Sequence, residues 1–179
     1  MPALHTVHCA YLRPDQRAAI RELLDVAFDG DFSESDWANT QGGLHTLVYD
    51  EDGLVAHGAV VQRRLLHAGR AYRTGYVEGL AVRTARRRRG YGYLVLNELE
   101  RIVEGGYEIG ALSDGTGIAE YYERRGWLRW QGPTAVLARD GVTRTPDDDG
   151  GVLVRPTSRT GTLDLTTELA CDWRDGDVW

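Results

Sequence analysis

Lysine is absent from this chain of 179 residues, and all 21 of its basic residues are arginine. The absence excludes catalysis through a lysine Schiff base, and it excludes the lysine that holds nucleotide phosphates in a P-loop. Long apolar runs are absent as well, since none approaches the roughly 20 residues that a membrane-spanning helix requires. The first residues show neither the basic segment nor the apolar stretch typical of a secretory signal. We therefore expect a soluble, cytoplasmic protein that does not bind a membrane.

Cysteine is scarce too. Cys9 and Cys171 stand far apart, and in a cytoplasmic protein we expect both to be reduced thiols. The five histidines show no metal-ligand spacing, so we expect no metal site. Acidic residues outnumber basic ones by 27 to 21, which argues against general binding of nucleic acids. An apolar fraction of 42% fits a single globular domain over residues 1–179.

Hydrophobic periodicity and turn residues predict both helices and strands. Pro14 and Asp15 suit the first turn of a helix that Gly30 ends, and Asp52-Gly53 is a hairpin turn signal. The predicted helices cover residues 14–28, 94–103 and 118–125, and the predicted strands cover 44–50, 54–66, 71–82, 108–112, 134–138 and 152–155. An acidic turn at 147–151 would join the last two strands. This order predicts an α+β protein whose sheet carries helices on both faces.

The run Arg87-Arg88-Arg89-Gly90-Tyr91-Gly92 lies between a predicted strand and a predicted helix. Its glycines let backbone N–H groups approach a ligand, the helix presents its positive end there, and arginine binds phosphate oxygens in pairs. An arginine run alone is more often a solvated face or a nucleic-acid patch. A Rossmann fingerprint fails because Val95 replaces its last glycine, and a Walker A loop needs lysine. This context favours the pyrophosphate of coenzyme A.

The pattern strand–[Gln/Arg]-x-x-Gly-x-[Gly/Ala]–helix resembles the acetyl-CoA loop of the GNAT N-acetyltransferase superfamily. The resemblance implies the GNAT fold, a mixed and mostly antiparallel sheet with helices on both faces and splayed central strands. It also implies that acetyl-CoA lies along the strand before the loop, where Gly79 permits a bulge. The residues that would bind the cofactor are the backbone of Leu80, Ala81 and Val82 and the loop residues Arg87, Arg88, Arg89, Gly90, Tyr91 and Gly92.

Four further motifs resemble the aminoglycoside 2′-N-acetyltransferases of this superfamily. They are Phe28-x-Gly30-Asp31-Phe32-Ser33, Gly75-Tyr76-Val77-Glu78-Gly79, Thr145-Pro146-Asp147-Asp148-Asp149-Gly150 and Cys171-Asp172-Trp173-Arg174-x-Gly176-Asp177-x-Trp179. Aminoglycosides carry several ammonium groups, so their site should be acidic. The resemblance implies drug contacts from Asp31, Asp36, Asp147, Asp148, Asp177 and the terminal carboxylate of Trp179, with Glu78, Gly79 and Ser113 near the reacting amine. The alternative for each acidic cluster is a solvated turn.

The reaction that the resemblance implies needs a base, an acid and an oxyanion donor. Glu78 is the candidate base, acting through water, and its alternative role is to bind the cationic substrate. Tyr122 is the candidate acid for the departing thiolate, but the adjacent Tyr121 leaves the register open. The Leu80 N–H is the candidate oxyanion donor. We expect direct transfer in a ternary complex, and Ser113 lacks the G-x-S-x-G spacing of a serine hydrolase.

The sequence therefore predicts transfer of an acetyl group from acetyl-CoA to the 2′-amine of aminoglycosides, which would confer antibiotic resistance. Two alternatives stay open. One is acetylation of another cationic amine, such as a cell-wall sugar, a polyamine or a protein N-terminus. The other is a non-catalytic module that binds cofactor or sequesters drug. The resemblance also implies a homodimer.

Overall fold

The computed structural model describes residues 2–179, and their backbone packing divides them into two compact units. The first unit contains the chain up to Val61 together with Val77–Ile102, and the second contains Gln62–Tyr76 and Val103–Trp179. Two long strands, β3 (Gly53–His67) and β4 (Arg70–Val82), contribute residues to both units. No helix within residues 2–179 is long and apolar enough to cross a membrane.

The first unit consists of antiparallel strands and helices. Its elements are β1 (Ala3–His8), α1 (Pro14–Ala27), α2 (Glu34–Asn39), β2 (Leu44–Asp50) and most of α3 (Tyr91–Gly106). Strand β2 lies between β1 and β3 and is antiparallel to both. The β2–β3 hairpin closes with Asp50 opposite Gly53, as the turn signal predicts.

Helix α1 shows why the sequence folds this way locally. It begins at Pro14, whose missing N–H costs nothing in a first turn, and Asp15 adds negative charge at the positive helix end. Helical spacing places Ile20, Leu23 and Leu24 on one buried face. That face shares a core with Leu12, Phe32, Leu47, Leu54 and Ala81.

The second unit is built mainly from strands. Its further elements are β5 (Ile109–Ser113), α4 (Ala119–Glu123), β6 (Leu128–Arg129), β7 (Thr134–Ala138), β8 (Gly141–Arg144), β9 (Val152–Pro156) and β10 (Leu169–Asp172). The strands follow the order β6-β9-β5-β4-β3-β10-β7-β8. Strands β4 and β5 are parallel, and so are β10 and β7. The pairs β5–β9, β6–β9, β7–β8 and β10–β3 are antiparallel.

Most of the predicted elements are present, and the differences have physical reasons. The sequence indicates no strand at β1, because its side chains are mostly exposed and carry little apolar alternation. The acidic turn predicted at 147–151 precedes β9, but the sequence does not predict β8, which lies between β7 and that turn. Strand β8 follows β7 as a hairpin, and the turn uses Gly141 at a φ of 118°, which glycine adopts readily. Strand β9 pairs instead with β5 and β6.

Candidate functional site

The phosphate loop, Arg87–Gly92, joins β4 to α3 in the first unit. Helix α3 begins at Tyr91, so the N–H groups of its first turn have no partner within the helix. The Leu94 N–H donates to the Gly90 carbonyl at 3.1 Å and closes that turn. Gly90, with a φ of 85°, adopts the left-handed region at little cost. The loop thus ends in a helix N-terminus of the kind that binds anions.

Acidic residues at the β2–β3 turn anchor the phosphate loop. The Arg86 guanidinium forms ion pairs with Asp50, at 3.5 Å, and with Asp52. The Tyr91 hydroxyl donates to Asp50 at 2.9 Å, and this hydrogen bond raises the pKa of the hydroxyl. These contacts hold both ends of the loop against one turn. The three arginines between them, Arg87–Arg89, are exposed and form the cationic surface that the sequence predicts.

Gly92 tests whether the loop fits a diphosphate. Glycine inside a helix costs about 1 kcal/mol relative to alanine. A Cβ at Gly92 would meet only Val82, at 3.4 Å, and the residue lies outside the positive φ range that favours glycine. No close contact of the protein therefore requires glycine here. Close approach of a ligand to the backbone would require it, so the loop fits the phosphate group that the sequence predicts.

The predicted catalytic segment of β4 also lies in the first unit. Glu78, Gly79 and Leu80 are half-buried. Gly79 has a φ of 55°, which departs from regular strand geometry. Its carbonyl oxygen lies 2.8 Å from Nδ1 of the buried His57. The sequence prediction considers the histidines only as metal ligands and therefore misses this contact.

The acidic segment around the start of α2 contains one exposed residue and one capping residue. Asp31 is exposed. Asp36 Oδ2 accepts hydrogen bonds from the Ser33 N–H and the Ser33 hydroxyl, both at 2.8 Å. The Asp36 N–H donates back to the Ser33 hydroxyl at 3.1 Å. This reciprocal pattern is a capping box, so one oxygen of Asp36 serves the helix end.

Three consecutive aspartates of the second unit, Asp147–Asp149, have different surroundings. Asp149 accepts hydrogen bonds from the Thr134 N–H at 2.8 Å and from Arg144 at 2.8 Å. The Arg144 hydrogen bond is the largest cause that lowers the pKa of Asp149 well below its usual range. Asp148 is half-buried, and burial together with the nearby Asp177 raises its pKa. Asp149 is therefore structural, and the Asp148–Asp177 pair holds concentrated negative charge.

The last residues of the chain fold back onto the segment before these aspartates. The Trp179 indole N–H donates to the Thr145 hydroxyl at 2.9 Å. Asp177 accepts a hydrogen bond from the Trp179 N–H at 3.1 Å. Arg174 donates to the Trp179 main-chain oxygen at 2.6 Å. Trp179 is 2% exposed, whereas Trp173 is 60% exposed. Of the two tryptophans in the motif, Trp179 is therefore the one that is packed against the protein.

Tyr76 links this tail to β4 within the second unit. The Arg63 guanidinium lies 4.7 Å from the centre of the Tyr76 ring, and the Arg174 guanidinium lies 5.4 Å from it. Arg63 also pairs with Asp172 at 2.8 Å. The sequence prediction lists Tyr76 in a motif but gives it no partner, because cation–π pairs between distant segments leave no local pattern.

Ser113 and Tyr122 belong to the second unit. Ser113 ends β5, and the following Asp114 accepts hydrogen bonds from Thr116 and Ile118 that order the loop before α4. Tyr122 is 6% exposed and lies edge-on to Trp127. Burial raises the pKa of Tyr122 above its usual value. The hydroxyl therefore stays protonated at neutral pH.

The predicted residues thus fall into two groups. The first unit holds Asp31, Asp36, Glu78, Gly79, Leu80, Ala81, Val82 and the loop Arg87–Gly92. The second unit holds Ser113, Tyr122, Asp147, Asp148, Asp177 and Trp179. Both cysteines are free thiols.

This fold and phosphate loop define a class of acyltransferases. The model of the acetyltransferase (GNAT) family matches residues 9–127, and the chain belongs to that family. Solved structures agree with the fold. YhbS from Escherichia coli, a GNAT family N-acetyltransferase in complex with CoA, superposes with a TM-score of 0.67 at 16% identity, covering 94% of this chain and 88% of that one. Escherichia coli ElaA gives a TM-score of 0.61 at 17% identity, covering 87% and 99%. The predicted GNAT fold is confirmed.

A curated relative within this family is more similar in sequence than these solved structures. The chain is 47% identical to the aminoglycoside 2′-N-acetyltransferase of Mycolicibacterium fortuitum, over 98% of this chain and 93% of that protein. The family resemblance stated from the sequence motifs is therefore confirmed.

Proposed function

We propose that this protein transfers an acetyl group from acetyl-CoA to the 2′-amine of aminoglycosides and thereby confers resistance to them. The observation that carries the proposal is the 47% identity to an aminoglycoside 2′-N-acetyltransferase over nearly the full length of both chains. Membership of the GNAT family supports the acetyl-transfer chemistry. The acidic residues of both units support a cationic acceptor.

The phosphate loop would bind the pyrophosphate of acetyl-CoA. Its exposed arginines, Arg87–Arg89, supply positive charge, and the first turn of α3 supplies N–H donors. Neither contribution suffices alone, since one exposed helix-end contact is worth only about 0.3–1 kcal/mol. The backbone of Leu80, Ala81 and Val82 would hold the pantetheine arm. Acetyl-CoA supplies an activated acetyl group as a thioester.

The acceptor would lie against carboxylates. Burial, and after it the nearby charge of Asp177, raises the pKa of Asp148. An ammonium group placed beside them would lower that pKa and gain from both charges. Asp31, Asp36, Asp147 and the packed Trp179 are further proposed contacts.

The chemistry requires a neutral amine. Glu78 would take the proton of the 2′-ammonium through water, or would bind the cation and leave deprotonation to the solvent. The amine nitrogen then forms the new N–C bond, the C–S bond of the thioester breaks, and the proton that the nitrogen loses passes to the departing sulfur, so the products are an amide and free coenzyme A thiol. The Leu80 N–H would stabilise the negative charge that develops on the carbonyl oxygen. Tyr122 stays protonated because it is buried, so it would donate a hydrogen bond to the departing sulfur.

The test is an assay for free coenzyme A with a thiol reagent, followed by localisation of the acetyl group by mass spectrometry. An aminoglycoside with a 2′-amine, such as tobramycin, should release coenzyme A and gain one acetyl group at that position. A matched aminoglycoside with a 2′-hydroxyl should not react. Release with neither drug, or a higher kcat/KM for polyamines or peptides, would refute the proposal.

A further inference from the structure

Two buried histidines stand behind the predicted catalytic segment of β4. His45 on β2 and His57 on β3 are both fully buried. Nδ1 of His45 lies 2.9 Å from Nε2 of His57, and Nδ1 of His57 lies 2.8 Å from the Gly79 carbonyl oxygen. The three groups form one chain of hydrogen bonds that ends on the backbone of β4.

The positions of the protons on both rings follow from the Gly79 carbonyl, which ends this series of hydrogen bonds. A carbonyl oxygen only accepts hydrogen bonds, so Nδ1 of His57 carries a proton and donates it to Gly79. In a neutral imidazole the other nitrogen is then an acceptor. Nε2 of His57 therefore accepts from the proton on Nδ1 of His45. Burial lowers the pKa of His45 to about 4 and that of His57 to about 3, so both rings are neutral at physiological pH.

Stability alone does not explain this pair. The chain of donors leaves Nε2 of His45 as an acceptor, and among residues 2–179 that atom is buried without a well-formed hydrogen bond, although the Thr40 backbone acts on the ring and raises its pKa against the larger effect of burial. A buried acceptor without a partner costs free energy, whereas an apolar side chain of the same shape would not. Departures of this kind from the best packing are expected at functional sites.

The Gly79 carbonyl and the Leu80 N–H belong to the same peptide group. The peptide bonds of the described chain are trans, so these two groups point in opposite directions within one rigid plane. A donor that holds the carbonyl therefore also sets the direction of the N–H. A hydrogen bond to the carbonyl further polarises the amide and strengthens its N–H as a donor.

This peptide needs such a restraint. Gly79 has a φ of 55°, outside strand geometry, and glycine reaches several backbone conformations at little cost because it has no side chain. Its surroundings leave room, since an added Cβ would lie 3.4 Å from its nearest neighbours, Leu24 and Thr40. His57 supplies the contact that selects one orientation.

We infer that His57 and His45 are positioning residues that orient and polarise the Gly79–Leu80 peptide, so that the Leu80 N–H faces the acetyl carbonyl as a prepared oxyanion donor. The inference rests on the proposed acetyl transfer. His57 acts directly on the peptide. His45 acts through His57, because its donor keeps the proton of His57 on Nδ1.

The experiment replaces each histidine by a residue that keeps or removes the donor. Asparagine retains an N–H near the position of Nδ1, and leucine has none. His57→Leu should lower kcat by about 10²-fold, the effect of losing an oxyanion donor in other enzymes, with the Kd of acetyl-CoA unchanged. His57→Asn should recover most of that loss. His45→Leu should lower kcat less than His57→Leu, and His45→Asn should again recover it.

A second measurement does not depend on the acceptor. In ¹⁵N-labelled protein, His57→Leu should shift the Leu80 amide resonance, and His57→Asn should shift it much less. If the wild-type protein acetylates no drug, the proposed function fails while this measurement still tests the inference. An unchanged Leu80 amide in His57→Leu, or wild-type kcat in that variant, overturns the inference. Should His57→Leu not fold, a folded His57→Asn with kcat reduced about 10²-fold overturns it as well.

Discussion

The buried histidine pair makes folding stability depend on pH. Burial lowers the pKa of His45 from 6.5 to about 4 and that of His57 from 6.5 to about 3. Between pH 6.5 and pH 4.5 the unfolded chain therefore binds protons at both positions and the folded chain does not. Stability must fall as pH falls through this window.

The magnitude follows from the linkage relation. Each histidine that is protonated only in the unfolded chain contributes about 1.4 kcal/mol per pH unit. Two histidines over two pH units would then cost at most about 6 kcal/mol, a large share of the roughly 5–15 kcal/mol typical of a folded domain. Asp149 does not confuse the result, because its folded pKa is lowered from 3.8, so its contribution is lost only below that pH.

The perturbation is His45→Asn, which removes one titrating imidazole and keeps a donor towards His57. Urea unfolding at half-unit steps from pH 4.5 to 7.5 gives the free energy of unfolding at each pH. We expect the slope between pH 4.5 and 6 to be about 1.4 kcal/mol per pH unit smaller in the variant, whatever its absolute stability. The same substitution at His5, on the exposed strand β1, reports the effect of removing a surface imidazole. Equal slopes in wild type and His45→Asn would refute the assignment of a buried neutral pair.

Three further substitutions test the proposed site. Gly92→Asp should raise the Kd of acetyl-CoA at least about tenfold, because a carboxylate would face the diphosphate at the helix N-terminus; Gly105→Asp, near the other end of α3, is the control, and equal affinities would contradict the loop assignment. Asp148→Asn should raise the KM of the aminoglycoside with little effect on unfolding. Asp149→Asn should instead lower the free energy of unfolding by about 1–2 kcal/mol through its lost hydrogen bonds. A raised KM in Asp149→Asn and a loss of stability in Asp148→Asn would contradict these assignments. Gly79→Ala should lower the free energy of unfolding by about 1–2 kcal/mol, because alanine is strained at this left-handed φ, and it should also lower kcat. A less stable variant with unchanged kcat would show that Gly79 has no role in catalysis.

Features that depend on a few neighbouring residues could be predicted from the sequence. The phosphate loop is such a feature, since strand, arginines, glycines and helix follow one another within Val82–Leu94. Helix α1 is another, because neighbouring residues and their spacing indicate where it begins, which face is buried and where it ends. The motifs that resemble 2′-N-acetyltransferases indicated that the acceptor is an aminoglycoside, which hydrophobic periodicity does not show.

The tertiary structure alone decided which polar groups meet. Residues 147–149 read as one acidic run, yet the fold places Asp149 against Arg144 and Asp148 near Asp177. The contact from His57 to Gly79 spans 22 positions of the chain and follows from the packing of β3 beside β4. Sequence periodicity reports which face of an element is apolar. It does not report which distant donor will meet a given carbonyl, because that depends on how the whole chain packs.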